Sequence, residues 1–140
     1  MALLIDTSVL VDLERADTTA PVAEIESEAA YVSAISASEL LHGVERAADE
    51  GRRARRQAFV ERVLDTVPVV PFDLDAARVH ARIWARLLQR GEMIGAHDLI
   101  IAATALSRDL GLVTRNTREF GRVEGLALRG LDQGAGGFGR

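Results

Sequence analysis

Four positions in this sequence carry side chains whose types suit one chemistry: Asp6, Glu39, Asp98 and Asn116. Asp6 ends the apolar start of LLIDTSVLVD, Glu39 lies in SASELLHGV, Asp98 opens the apolar run DLIIAATAL, and Asn116 follows LVT. A charge at the end of a buried strand costs desolvation energy unless it is hydrogen-bonded, paired or bound to a cation. Three carboxylates drawn together repel at low effective dielectric, so such a cluster holds protons or recruits a cation. All-oxygen donors select hard ions, Mg²⁺ or Mn²⁺, over zinc or copper. An ion of that kind lowers the pKa of a bound water and clamps a phosphoryl oxygen, the chemistry of metal-assisted phosphodiester hydrolysis without a covalent nucleophile.

That chemistry requires the four positions to share one edge of a fold. The pattern predicts a short buried strand over 2–5, a helix from Thr7 to about Arg15, a second strand over 31–34 and a helix over 36–49. Glu39 then stands in the first turn of that helix. Gly51 punctuates before a second helix over 52–65, making a helical hairpin with Leu41, Val44, Phe59 and Val63 among its apolar positions. VPVVPF (67–72) reads as an edge strand between two prolines, and Asp75 as the cap of a long helix to Arg90 that carries Val79, Ile83, Trp84 and Leu87. The run 97–109 is apolar on nearly every side and should be packed all round. Strands at 112–114 and near 126–131 complete the order, and the glycine-rich tail 132–140 reads as disordered. Strands alternating with helices give an α/β sandwich with a mainly parallel sheet, whose sites lie at the carboxyl ends of strands. Asp6, Glu39, Asp98 and Asn116 all fall at that edge.

Composition removes other chemistries. The 140 residues fit one domain, and with no cysteine there are no disulfides, thiol nucleophiles or cysteine zinc sites. All 17 basic residues are arginine, so a P-loop lysine and a Schiff base are excluded. His42, His80 and His97 lack zinc-site spacing. The net charge of −4 argues against general phosphate coating. No apolar run reaches the ~18 residues of a membrane span, and no basic leader precedes the first strand, so the expected address is cytoplasmic.

Each acid also has a structural alternative. Asp6 would cap the helix from Thr7, Glu39 would close the capping box Ser36-x-x-Glu39, and Asp98 would complement a helix dipole. Asp12 is expected to face solvent, and Glu119 is a fourth-acid candidate. Arg115 is the phosphate contact nearest the site, the arginines of RRARR (52–56) could steer a phosphate backbone but read first as a solvated helix face, and Trp84 and Phe59 are expected in the core.

Taken together, LLIDTSVLVD, SASELLHGV, GAHDLIIAATAL and LVTRNTREF run in the order of a PIN-domain ribonuclease, and the chain resembles the short VapC-type toxins of bacterial toxin-antitoxin pairs. The resemblance implies a PIN domain over 1–131 with a PIN-like α/β/α sandwich and endoribonuclease activity. It further implies a Mg²⁺ or Mn²⁺ site on Asp6, Glu39 and Asp98, Asn116 at the fourth position where many members have aspartate, and supporting hydroxyls from Thr7 and Thr114. A cognate VapB-type antitoxin that occludes the pocket, an RNA substrate and a homodimer follow from the same resemblance. A haloacid-dehalogenase-type phosphatase would need aspartate where Ser8 stands, and both it and a receiver domain need a lysine. The alternative of another class is a PIN-fold module that binds RNA or protein without catalysis.

Overall fold

A computed structural model describes residues 1–16, 29–131 and 138–139. The elements are β1 (Leu3–Ile5), α1 (Thr7–Arg15), β2 (Ala30–Ser33), α2 (Ala34–Glu45), α3 (Glu50–Thr66), β3 (Val69–Val70), α4 (Leu74–Arg90), α5 (Ala96–Ser107), β4 (Gly111–Thr114), α6 (Thr117–Phe120), β5 (Leu128–Leu131) and β6 (Phe138–Gly139). The sheet order is β3-β2-β1-β4-β5-β6. The first five strands pair in parallel, and β6 pairs antiparallel with β5. The expected mainly parallel α/β sandwich is therefore the architecture observed. The disordered tail expected over 132–140 lies outside the described residues except at Phe138 and Gly139, which extend the sheet as β6.

Alternation along the central strands divides the apolar residues into two cores. Leu3, Ile5, Val32 and Val113 point to a face covered by α1, α2 and α3, with Leu10, Leu40, Val44, Phe59, Val60 and Val63 packed there. Leu4 and Leu112 point to the other face, which receives Ile83 and Leu87 of α4, Ile101 and its neighbours on α5, and Phe120. Burying a single leucine in this way contributes about 1.5–3 kcal/mol, so the central strands β1 and β4 are fixed from both sides. Their carboxyl ends, at Asp6 and Thr114, inherit that rigidity. Buried residues of α5 run without a break from Ile101 to Ala105, as expected of a helix packed all round.

Several boundaries differ from the sequence reading, mostly because a serine or aspartate earlier in the chain takes the cap. Ser33 caps α2 by accepting from the Ser36 N–H at 3.1 Å, so that helix begins at Ala34 and Glu39 occupies its second turn. Asp49 caps α3 through the Arg52 N–H at 2.8 Å, leaving Gly51 inside the helix. Asp73, not Asp75, caps α4 through the Ala76 N–H at 2.9 Å. Of VPVVPF only Val69 and Val70 form a strand, at the sheet edge as expected; Pro68 and Pro71 have no N–H to extend the ladder. Trp84 is 51% exposed: Ile83 and Leu87 define the buried face of α4, and the next residue after Ile83 is turned about 100° away from it. Among the described residues no helix is long and apolar enough to cross a membrane.

Candidate active site

The sheet delivers Asp6 first. β1 ends at Ile5, the Asp6 N–H donates to the Val113 carbonyl at 2.9 Å, and the residue is only 4% exposed. Asp6 stands at the N-cap position of α1, yet its side chain makes no cap hydrogen bond. Its Oδ2 instead accepts from Thr114 Oγ1 and from Ser8 Oγ, both at 2.7 Å. Two hydroxyl donors on one oxygen offset the cost of burying this carboxylate. The capping alternative for Asp6 therefore fails.

Glu39 is oriented by a hydroxyl series. Thr7 Oγ1 lies 3.0 Å from Glu39 Oε1 and 2.8 Å from Ser36 Oγ, and Ser33 Oγ donates to Ser36 Oγ at 3.0 Å. A threonine hydroxyl has one proton, and the carboxylate can only accept, so the consistent order of donation is Ser33 to Ser36 to Thr7 to Glu39. Ser36 is thus the third residue of α2 and part of this series, which removes the capping box. On its other side, Glu39 Oε2 faces His97 Nδ1 at 3.7 Å.

Asp98 comes from the opposite layer, as the third residue of α5, where Gly95 leaves the N-cap without a side-chain bond. Burial first, then the charges of Asp6, Glu119 and Glu39, push the Asp98 carboxyl up from 3.8 to about 6, while a hydrogen bond from the Asn116 side chain works the other way. Its place in the first turn also suits the helix dipole, so that role and membership of the site coexist. Asn116 follows β4; its N–H donates to Thr114 Oγ1 at 2.9 Å and its Nδ2 to Glu119 Oε2 at 3.2 Å. Glu119 thereby joins the cluster as a fourth acid.

Asp6, Thr7, Ser8, Glu39, Asp98 and Asn116 line one cavity of about 410 Å³, with Asp12, Arg15 and Arg115 at its walls. Two expectations change here. Asp12 is not simply solvent-facing: its Oδ2 accepts from Arg115 Nη1 at 2.6 Å. That pairing also engages Arg115, the expected phosphate contact, because α1 carries Asp12 one and a half turns past Asp6 toward the β4 end. Ser8, Ser33, Ser36 and His97 are participants that the sequence reading passed over; the only available signal for Ser8 was its place beside Asp6 in the DTS run.

Among the described residues, no three acidic or histidine side chains stand close enough together to hold one ion as they are placed. The donor set nonetheless fits a hard divalent cation, since it is all oxygen and its members disfavour one another's ionisation.

A parallel sandwich with this acid-lined edge defines a class, and the PIN domain family matches residues 3–126. The chain belongs to the PIN-domain family, and within it to the VapC type. It is 37% identical to Ribonuclease VapC1 of Rickettsia felis over 128 residues, 91% of this chain and 95% of that protein. Similarity to the tRNA(fMet)-specific endonuclease VapC of Shigella flexneri is 37% identity over 95 residues, 68% of this chain and 70% of that one. Among solved structures, a chain of DNA-bound VapBC from Salmonella typhimurium matches with a TM-score of 0.83 at 28% identity, covering 93% of this chain and 98% of that one.

Proposed function

We propose that the protein is a toxin endoribonuclease that hydrolyses RNA phosphodiester bonds with Mg²⁺ or Mn²⁺ held by Asp6, Glu39 and Asp98. The observation that carries this reading is the meeting of Asp6, Glu39 and Asp98 on one cavity, with Glu119 tied to its rim through Asn116; burial and these charges raise the pKa of the Asp98 carboxyl, a charge balance that suits a cation. When bound, such an ion supplies a water of lowered pKa and a Lewis-acid contact on the phosphoryl oxygen. The chain's own part is positional. Ser8 and Thr114 fix Asp6 through Oδ2, the Ser33–Ser36–Thr7 series aims Glu39, and the Asn116 amide ties Asp98 to Glu119. Asn116 contributes an oxygen without charge at the fourth position, and Glu119 supplies the charge an aspartate would bring.

The VapC ribonucleases among its relatives, and VapBC among the related structures, support the nuclease reading and a VapB-type antitoxin as partner. A basic side chain of that partner would compete for the same carboxylates by charge-assisted hydrogen bonds. Of the apolar positions of the 34–66 helical hairpin that could take a partner helix, Val44, Phe59 and Val63 are buried against the sheet and only Leu41 is exposed. The homodimer belongs to this proposal too, and the exposed Phe72, Leu74, Trp84 and Leu88 around α4 are apolar surface available to it.

Mapping cleavage ends on total RNA with wild type and Asp98→Asn side by side tests the reading. Discrete ends that need added Mg²⁺ or Mn²⁺ and vanish with Asp98→Asn are expected. Wild-type RNA left intact, with RNA still bound, would favour the non-catalytic binding module.

A further inference from the structure

Six of the 17 arginines line two hollows that continue from the acid cavity. The first hollow, about 360 Å³, shares Thr7, Val11, Arg15 and Glu39 with that cavity and adds Arg46 and Arg56. The second, also about 360 Å³, shares Glu14 and Arg56 with the first and is otherwise lined by Arg52, Arg55, Arg62 and Phe59. The three spaces thus form one path across α1, α2 and α3.

Among the described residues, the charges on this path are only partly neutralised. Glu14 is paired with Arg56 at 2.8 Å, and Arg52 lies 3.7 Å from Asp49. Arg46 and Arg62 are exposed, and their side chains make neither an ion pair nor a hydrogen bond with another described residue. Among the described residues, a chain of net charge −4 therefore gathers positive charge on a path that ends at its proposed cleavage site, where it steers a polyanion. Apolar anchoring is scarce: Phe59 and Leu40 are buried, whereas most exposed large hydrophobics, Phe72, Leu74, Trp84 and Leu88 among them, lie around α4. A partner helix needs an apolar face to seat; a single-stranded phosphate backbone needs arginines.

We propose that this path binds the single strand of RNA continuing from the scissile phosphate, with Arg46 and Arg62 as phosphate contacts. The inference rests on the nuclease reading, since the strand is the substrate of the acid cavity. It takes up the alternative that the 52–56 arginines steer a phosphate backbone: Arg52, Arg55 and Arg56 line the path.

The test uses fluorescence anisotropy on the full chain carrying Asp98→Asn, with an unstructured RNA of about twenty nucleotides, in the presence and absence of Arg46→Glu plus Arg62→Glu. Arg82→Glu plus Arg86→Glu, the same charge change on the exposed side of α4, serves as control. Losing two phosphate contacts should weaken binding at least tenfold at low salt and reduce the slope of log affinity against log salt by about 1.4, while the control stays near the parent. Equal affinity and slope in both pairs would overturn the proposal. So would unchanged RNA binding together with weakened binding of the antitoxin, which would assign the path to a protein. Failure of the nuclease reading looks different: RNA binding would fall with Arg46→Glu plus Arg62→Glu although the wild-type chain cuts nothing.

Discussion

The acid cavity and the arginine path share a wall at Thr7, Arg15 and Glu39, but they are held in opposite ways. In the cavity, Asp6 and Thr114 are buried at the ends of the two central strands, and Asp6 Oδ2 and Thr114 Oγ1 each accept from a named donor. On the path, the exposed side chains of Arg46, just past the end of α2, and Arg62, on α3, have no described partner. Position matters atom by atom in the first region; in the second, charge matters in sum. Substitutions should therefore act steeply and locally in the cavity and gradually along the path.

The largest effect belongs to Asp6→Asn, which keeps shape and removes charge. Even loss of an outer-shell support to a metal ligand costs about 10–100-fold, so RNA cleavage should fall by more than about a hundredfold while far-ultraviolet circular dichroism is unchanged. Cleavage within a few-fold of wild type would remove Asp6 from the site. Next comes Thr114→Val, which deletes the 2.7 Å donor to Asp6 Oδ2. We expect activity lower by about 10–100-fold and stability lower by about 1–3 kcal/mol, measured by urea denaturation; an unaltered denaturation midpoint and rate would mean that Ser8 alone orients the carboxylate.

A gentler effect appears in pH. Because the Asp98 carboxyl rises from 3.8 to about 6 on folding, the native state holds the extra proton between those values, and stability drops as pH climbs through that window. Above about 6 the penalty is constant. In chelator, Asp98→Asn should melt higher than wild type at pH 7, and that advantage should shrink toward pH 4; an advantage independent of pH would contradict the assignment. The smallest effect is expected from Asp12→Ala. The Asp12–Arg115 pair is partly exposed, and such pairs contribute about 0.2–1 kcal/mol, so calorimetry should register a slight loss and cleavage should change little.

Legibility followed the same division. The strand ends, and the meeting of Asp6, Glu39, Asp98 and Asn116 on one cavity, could be read because buried parallel strands leave near-continuous apolar runs that stop at polar residues. Helix starts were less legible: Ser33, Asp49 and Asp73 each compete with a plausible later cap, and only tertiary pairing decides between them. The hydroxyl series from Ser33 to Glu39 joins residues from β2, α1 and α2, a contact no local pattern encodes. Trp84 illustrates a different limit, since an apolar residue in a helix is assigned to the core unless the buried stripe is located to within one position. The arginine path was visible as RRARR but not as a path, because Arg15, Arg46 and Arg62 reach it from outside that run.

The central claim is that Asp6, Glu39 and Asp98 together bind a divalent cation. Its most direct test is the melting temperature of the metal-free protein titrated with Mn²⁺, for wild type and for Asp6→Asn, Glu39→Gln and Asp98→Asn. An ion bound only by the native state raises stability as the logarithm of its concentration over the dissociation constant. The wild type should show that rise, with each variant's curve displaced to higher Mn²⁺; four superimposable curves would contradict a shared metal site.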